Sequence, residues 1–124
     1  MSDMRDKVLN EAATEAPGSG KLLHNKESGA YTCGGCGIEL FKSDHKFDSG
    51  SGWPSFNQPS NQESVKLVSD SSHGMERTEV VCAKCEGHLG HVFPDGLDQP
   101  TGQRYCINSA ALDFVDQEGN KTRG

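Results

Sequence analysis

The chain has 124 residues and a formal net charge of -6, a balance that excludes an electrostatic grip on nucleic-acid phosphates or anionic lipid. Only 32% of the residues are apolar and 15 are glycine, so the composition excludes a large core and favours short strands and turns. One domain spanning residues 1–124 is the natural count, with no apolar run near the roughly 20 residues of a membrane span. The acidic start (Asp3, Asp6, Glu11, Glu15) lacks the apolar stretch of a secretory signal, and a cytoplasmic location with reduced thiols is expected.

Met4, Val8, Leu9, Ala12, Ala13 and Ala16 recur at helical spacing. With Ser2 or Asp3 as cap and Pro17-Gly18 as stop, they predict a short amphipathic helix over about 3–16. The core is expected over about 15–115. Short runs rich in β-branched and aromatic residues predict strands at 30–32, 38–41, 65–68, 78–81, 91–93, 104–108 and 112–115. The domain is therefore expected to be mostly β. Residues 49–63 and 69–74 are polar enough to predict surface loops, and the polar tail after Asp116 is expected to fray.

Five cysteines carry the strongest signals. Cys33-Gly34-Gly35-Cys36 and Cys82-Ala83-Lys84-Cys85 are two CxxC knuckles, a donor set suited to one tetrahedral Zn²⁺. The 45 residues between them exceed the spacing of a zinc ribbon, so the ion would clamp two distant hairpins. A single CxxC can also be a redox pair, and two can form disulfides in a secreted protein. Four thiolates leave no open coordination position, which makes the expected zinc structural, worth on the order of 10 kcal/mol at neutral pH.

Cys106 is the thiol left over, within Arg104-Tyr105-Cys106-Ile107-Asn108. As a strand, this pentapeptide sends Arg104, Cys106 and Asn108 to one face and Tyr105 and Ile107 to the core. A neighbouring guanidinium favours the nucleophilic thiolate, whereas a lone cysteine also serves as a small buried apolar residue. Trp53 sits in the loop Gly50-Ser51-Gly52-Trp53-Pro54-Ser55-Phe56, either as a core residue or as a rim wall for a small apolar group such as a methyl. His88 and His91 are three residues apart, with Phe93 on the His91 face; each imidazole is a proton donor near neutral pH or a structural hydrogen-bonding group. Pro94-Asp95-Gly96 predicts a turn that Asp95 serves.

Taken together, Cys33-x-x-Cys36-Gly37, Leu40-Phe41-x-Ser43, Lys46-Phe47-Asp48-Ser49-Gly50-x-Gly52-Trp53-Pro54-Ser55-Phe56, Gly74-Met75-x-Arg77-Thr78-Glu79-Val80, His88-Leu89-Gly90-His91-Val92-Phe93-x-Asp95-Gly96 and Arg104-Tyr105-Cys106-Ile107-Asn108-Ser109 resemble the peptide-methionine (R)-S-oxide reductases, the MsrB family. The resemblance covers about residues 15–114. It implies two antiparallel β-sheets in a barrel-like core with a four-Cys zinc site, and reduction of the R epimer of methionine sulfoxide, free or in oxidised proteins, as a repair reaction. Residue by residue, it implies Cys106 as nucleophile, Trp53 as the wall against the substrate S-methyl, and His91 as the acid near the sulfoxide oxygen. His88, Arg104, Asn108 and Phe93 then shape the pocket.

One position departs from the common pattern: Ser51 stands where many members carry the cysteine that resolves the sulfenic acid. With four cysteines assigned to zinc, a one-Cys enzyme is expected, a monomer regenerated by an external thiol such as thioredoxin, glutaredoxin or glutathione. The contrasting reading is a non-catalytic, zinc-stapled peptide-binding module, indifferent to alkylation of Cys106. A zinc hydrolase or deaminase would need an open metal position, and a nucleic-acid-binding ribbon would need basic clusters that this chain lacks.

Overall fold

The structure is a computed structural model that describes residues 4–71, 74, 76–94 and 99–124. The proposed Ser2 or Asp3 cap, Met75 and the Asp95 turn lie outside the described residues.

Alternating side chains build two antiparallel sheets. The first is four-stranded, with order β10-β9-β1-β2, from β1 (Gly29–Cys33), β2 (Glu39–Lys42), β9 (Leu112–Asp116) and β10 (Lys121–Arg123). The second is six-stranded, with order β3-β4-β8-β7-β6-β5, from β3 (Lys46–Phe47), β4 (Ser55–Phe56), β5 (Val65–Asp70), β6 (Arg77–Cys82), β7 (His88–Phe93) and β8 (Arg104–Ile107). The mostly β expectation and the two antiparallel sheets are borne out. The sheets remain open, however, and do not close into a barrel. Side-chain packing joins them across the core.

That packing is aromatic. Phe56 of β4 stacks on Phe41 of β2 with centroids 4.3 Å apart, and Tyr31 of β1 meets Phe56 edge-on at 5.1 Å and Phe114 of β9 at 4.9 Å. Phe41 also reaches Tyr105 of β8 at 5.9 Å. Tyr31, Phe41 and Phe56 are fully buried, each removing on the order of 150–250 Å² from water. This cluster seats β4 and β8 against the first sheet, and β8 carries Cys106.

Four elements differ from the sequence expectation, each for a physical reason. The helix α1 runs only over Met4–Glu11. Ala12 takes φ 54° and the Ala13 N–H bonds to Lys7 O at 3.0 Å, a left-handed cap that ends the helix before Pro17 is reached. Residues 49–63 do not form a surface loop throughout: Pro54, Ser55, Phe56 and Asn57 are buried, because Phe56 belongs to the aromatic cluster and β4 pairs with β8. Asp70, expected in a loop, ends β5 opposite Arg77. The tail after Asp116 forms β10, which pairs Lys121, Thr122 and Arg123 with Val115, Phe114 and Asp113. Its exposed side chains give no burial pattern, so backbone hydrogen bonding alone makes it a strand.

Helix α1 is tied down by its side chains. The Arg5 guanidinium donates to Ala110 O, Leu112 O and Asp113 Oδ1 at 2.7–2.9 Å, Val8 is buried in the core, and Leu9 packs beside Gly35 of the first knuckle and Gly87 just after the second.

Candidate active site and metal centre

Cys106 lies in the middle of β8, and its two neighbours across the sheet are set by register. On one side it pairs with His91 of β7, on the other with Ser55 of β4. Paired residues of adjacent antiparallel strands project from the same face, with Cβ atoms roughly 5 Å apart. Strand alternation then places Arg104 two residues away on the same side, where it pairs with Phe93. The expected division of faces holds. Tyr105 and Ile107 belong to the core, while Arg104, Cys106 and Asn108 line one cleft of about 270 Å³.

Trp53, His91 and Phe93 line the same cleft, as do Ser51, Arg77, Gly90 and Thr14. Arg104 lies over the Phe93 ring, 4.6 Å from its centroid, and its Nη1 donates to Cys106 Sγ at 2.6 Å. A stacked, aimed guanidinium is a fixed partner for negative charge on that sulfur. Ser51 Oγ and Ser55 Oγ stand 3.5 and 3.7 Å from Cys106 Sγ, and Ser49 Oγ bonds to both hydroxyls. The sulfur therefore sits between a cation and a hydroxyl cluster. Gly90 is obligatory beside it, because an added Cβ would collide with the Cys106 carbonyl.

His91 Nε2 is 2.8 Å from Asp70 Oδ2, and Arg77 Nη2 reaches the same oxygen at 3.3 Å. A carboxylate can only accept, so Nε2 of His91 carries the hydrogen. Burial holds His91 below the ordinary histidine value of 6.5, against the opposing pull of the Asp70 bond. His88 is placed differently from the other predicted site residues. It is buried behind the cleft, is not among the lining residues, and sits 5.5 Å from the His91 ring centroid to centroid. Its Nδ1 bonds to Glu79 Oε2 at 2.7 Å, while Nε2 is buried with no partner among the described residues.

Sequence reasoning missed Asp70, Glu79 and Glu15. The first two sit on β5 and β6 within reach of an imidazole only because the strands align. Glu15 carries no motif signal at all, yet its side chain is buried and its carboxylate accepts the Ser109 and Ala110 N–H groups.

The four remaining cysteines converge. Cys33 closes β1 and Cys82 closes β6, so the knuckles belong to different sheets. Their sulfurs and those of Cys36 and Cys85 all lie within 4.8 Å of one another, with Cys33 to Cys85 at 3.7 Å and Cys36 to Cys82 at 3.5 Å. Four sulfurs about 2.3 Å from a tetrahedral ion would be roughly 3.8 Å apart, close to the two distances above, so the donor set suits a metal ion. The Gly35 N–H already points at Cys33 Sγ at 3.3 Å. Burial pushes the Cys33 and Cys82 thiols up, and a bound cation is the natural compensation for thiolates there.

A thiol beside a guanidinium, in a cleft lined by imidazole and indole, on a two-sheet scaffold with four further thiols placed to hold a metal ion, is the arrangement of a thiol-dependent redox protein. Residues 1–116 match the SelR domain family. The chain belongs to that family. It is 57% identical to the peptide methionine sulfoxide reductase MsrB of Photorhabdus laumondii, an alignment covering 100% of this chain and 91% of that protein. Among solved structures, the C-terminal domain of Caenorhabditis elegans Dicer-related helicase 3, with a 5′-triphosphate RNA, superposes with TM-score 0.61 at 17% identity. That match covers 82% of this chain and 63% of the other, and at such identity it speaks for the fold alone.

Proposed function

We propose that the protein reduces the R epimer of methionine sulfoxide, free or in oxidised proteins, to methionine, with Cys106 as nucleophile. The observation that carries this reading is the Cys106 environment: Arg104 Nη1 at 2.6 Å and His91 paired directly opposite on β7, all facing the cleft that Trp53 lines.

The chemistry follows from that arrangement. A sulfoxide sulfur is a poor electrophile until its oxygen is protonated. Cys106 Sγ attacks the sulfoxide sulfur while His91, which takes up a proton at Nδ1 with its Nε2–H kept on Asp70, passes that Nδ1 proton to the oxygen. An S–S bond forms and the S=O π bond is lost. Transfer of the oxygen to Cys106 then breaks the S–S bond, releasing methionine as the thioether and leaving Cys106 as sulfenic acid, with two electrons passed from cysteine to substrate. Two external thiols return Cys106 to the thiol, giving their disulfide and water. Arg104 holds the sulfur anion, and Phe93 holds Arg104. His88, clamped by Glu79, sets the wall behind His91. Trp53 is the face against which the substrate methyl packs, and the mirror epimer would bring its oxygen to the indole instead.

Ser51 lies 3.5 Å from the Cys106 sulfur and offers a hydroxyl where a resolving thiol would be needed. The sulfenic acid is therefore regenerated directly by an external thiol, a dithiol protein such as thioredoxin or glutaredoxin, or glutathione. The metal of the four-Cys centre is zinc, which when bound holds the two knuckles together. Cys33, Cys36, Cys82 and Cys85 would hold it. The chain acts as a cytoplasmic monomer.

The test is methionine formation from the separated R and S sulfoxide epimers of a blocked methionine, with excess dithiothreitol. Turnover of R alone is expected. Turnover of neither epimer by folded, metal-loaded protein would overturn the enzyme and leave a peptide-binding role for the cleft.

A further inference from the structure

The stretch between α1 and β1 drew no attention as a motif, yet its Thr14 lines the cleft and its Glu15 makes four hydrogen bonds to residues remote in sequence. Glu15 is its centre. Its side chain is 3% exposed, with Oε2 accepting the Ser109 N–H at 3.0 Å and Oε1 accepting the Ala110 N–H at 2.9 Å. Its own N–H donates to Asn108 Oδ1 at 2.9 Å, and its carbonyl accepts the Trp53 indole N–H at 2.9 Å. One residue thus touches both flanks of the reacting thiol, the loop before β4 and the turn after β8.

We propose that Glu15 is a positioning residue for the reduction, fixing the Trp53 indole and the Asn108 amide around Cys106 through these four hydrogen bonds. The kinetic arm of this assignment rests on the reductase reading; the spectroscopic arm does not.

Three further observations carry it. The Asn108 amide is held at both ends, since its Nδ2 donates to Leu89 O at 2.9 Å while its Oδ1 takes the Glu15 N–H. Releasing Glu15 therefore leaves this cleft-lining amide held by its Nδ2 alone. The segment also packs closely around Glu15: a Cβ on Gly20 would lie 2.5 Å from both Glu15 Oε2 and Ser109 Cβ. On either side of Glu15, Thr14 lines the cleft and the Gly18 N–H bonds to Gly52 O at 2.7 Å, beside Trp53. A carboxylate is an expensive group to bury, and desolvation raises its titration against the two N–H bonds. An apolar residue could fill the space. A two-oxygen acceptor satisfies the two successive N–H groups of Ser109 and Ala110, three and four residues beyond Cys106, with one oxygen each.

The experiment uses the full, metal-loaded chain with Glu15→Gln and Glu15→Asp. Glutamine keeps one acceptor and sets an NH₂ against the second N–H; aspartate keeps the charge but is one methylene short. For Glu15→Gln, KM for the R sulfoxide of a blocked methionine is expected to rise about tenfold with kcat within about twofold. Emission from Trp53, the chain's single tryptophan, is expected to move to longer wavelength and to become more accessible to acrylamide quenching. Glu15→Asp is expected to recover part of both changes and carries the same readouts if the glutamine variant does not fold. A lower melting temperature with wild-type KM and wild-type emission would overturn the proposal, because Glu15 would then be a structural acceptor only. If the unmodified protein turned over neither epimer, the reductase reading would fall, while emission and quenching would still decide whether Glu15 holds Trp53.

Discussion

The four-Cys centre yields a sharp stability prediction, because two physical pictures of the same cysteines diverge. As plain thiols, their contributions would follow burial: Cys33 and Cys82 are buried, whereas Cys85 is exposed. Removing the exposed Cys85 Sγ would then lie within about 0.5 kcal/mol of neutral, the usual range for surface changes. As ligands of one ion, all four contribute alike, and losing any of them removes most of a binding free energy on the order of 10 kcal/mol. A domain of this size has a total stability of about 5–15 kcal/mol, and each kcal/mol moves its melting temperature by roughly 4 °C. Cys85→Ala should therefore lower the melting temperature by tens of degrees, as should Cys36→Ala and chelation of the wild-type protein. Far-UV circular dichroism melts with and without a chelator, alongside metal content by elemental analysis, measure this directly. A Cys85→Ala protein that melts within about 5 °C of wild type, with Cys33→Ala much worse, would refute the shared-ion reasoning.

Three further outcomes are expected. Cys106→Ser should abolish turnover of the R epimer while leaving the melting curve within about 1 kcal/mol of wild type, since one buried sulfur is exchanged for one hydroxyl beside Arg104 and Ser55; retained turnover in a sulfoxide assay would remove Cys106 as nucleophile. Ser51→Cys places a second sulfur where Oγ now stands, 3.5 Å from Cys106 Sγ, so non-reducing mass analysis after one turnover should show an intramolecular disulfide that the wild-type chain does not form. Because burial holds His91 below 6.5, the unfolded chain takes up this proton first as pH falls through 6.5. Stability from His91 is thus fully present above that value and declines below it. The buried Glu15, held above 4.5, acts in the opposite sense at lower pH. Urea titrations of wild type and His91→Gln at pH 7.5 and 5.5 isolate the His91 share: the wild type should lose more stability between the two than the variant, and equal losses would contradict the assignment.

What could be read from the chain alone was whatever short spacing dictates. Two CxxC turns aim their sulfurs locally, whatever surrounds them, and the alternation in Arg104-Tyr105-Cys106-Ile107-Asn108 sorts cleft from core in any strand. Hence the four cysteines that converge, and Cys106 with its guanidinium, were legible as a pattern, and the family motifs added Trp53 and His91, which line the same cleft. Partners remote in sequence were not legible. Glu15 meets Ser109 across 94 residues, Asp70 meets His91 across 21, and nothing in the composition around Glu15 or Asp70 marks either as buried or paired. The same holds for backbone that becomes strand only by pairing: Ser55 lies in a polar stretch until β8 places Cys106 opposite it, and Lys121 to Arg123 form β10 with no buried side chain at all. Local geometry selects which groups can do the chemistry. Only the register of β4, β7 and β8, and the hydrogen bonds of Glu15 to the residues flanking them, decides where those groups stand, because hydrogen bonds between distant segments form only after the sheets have packed.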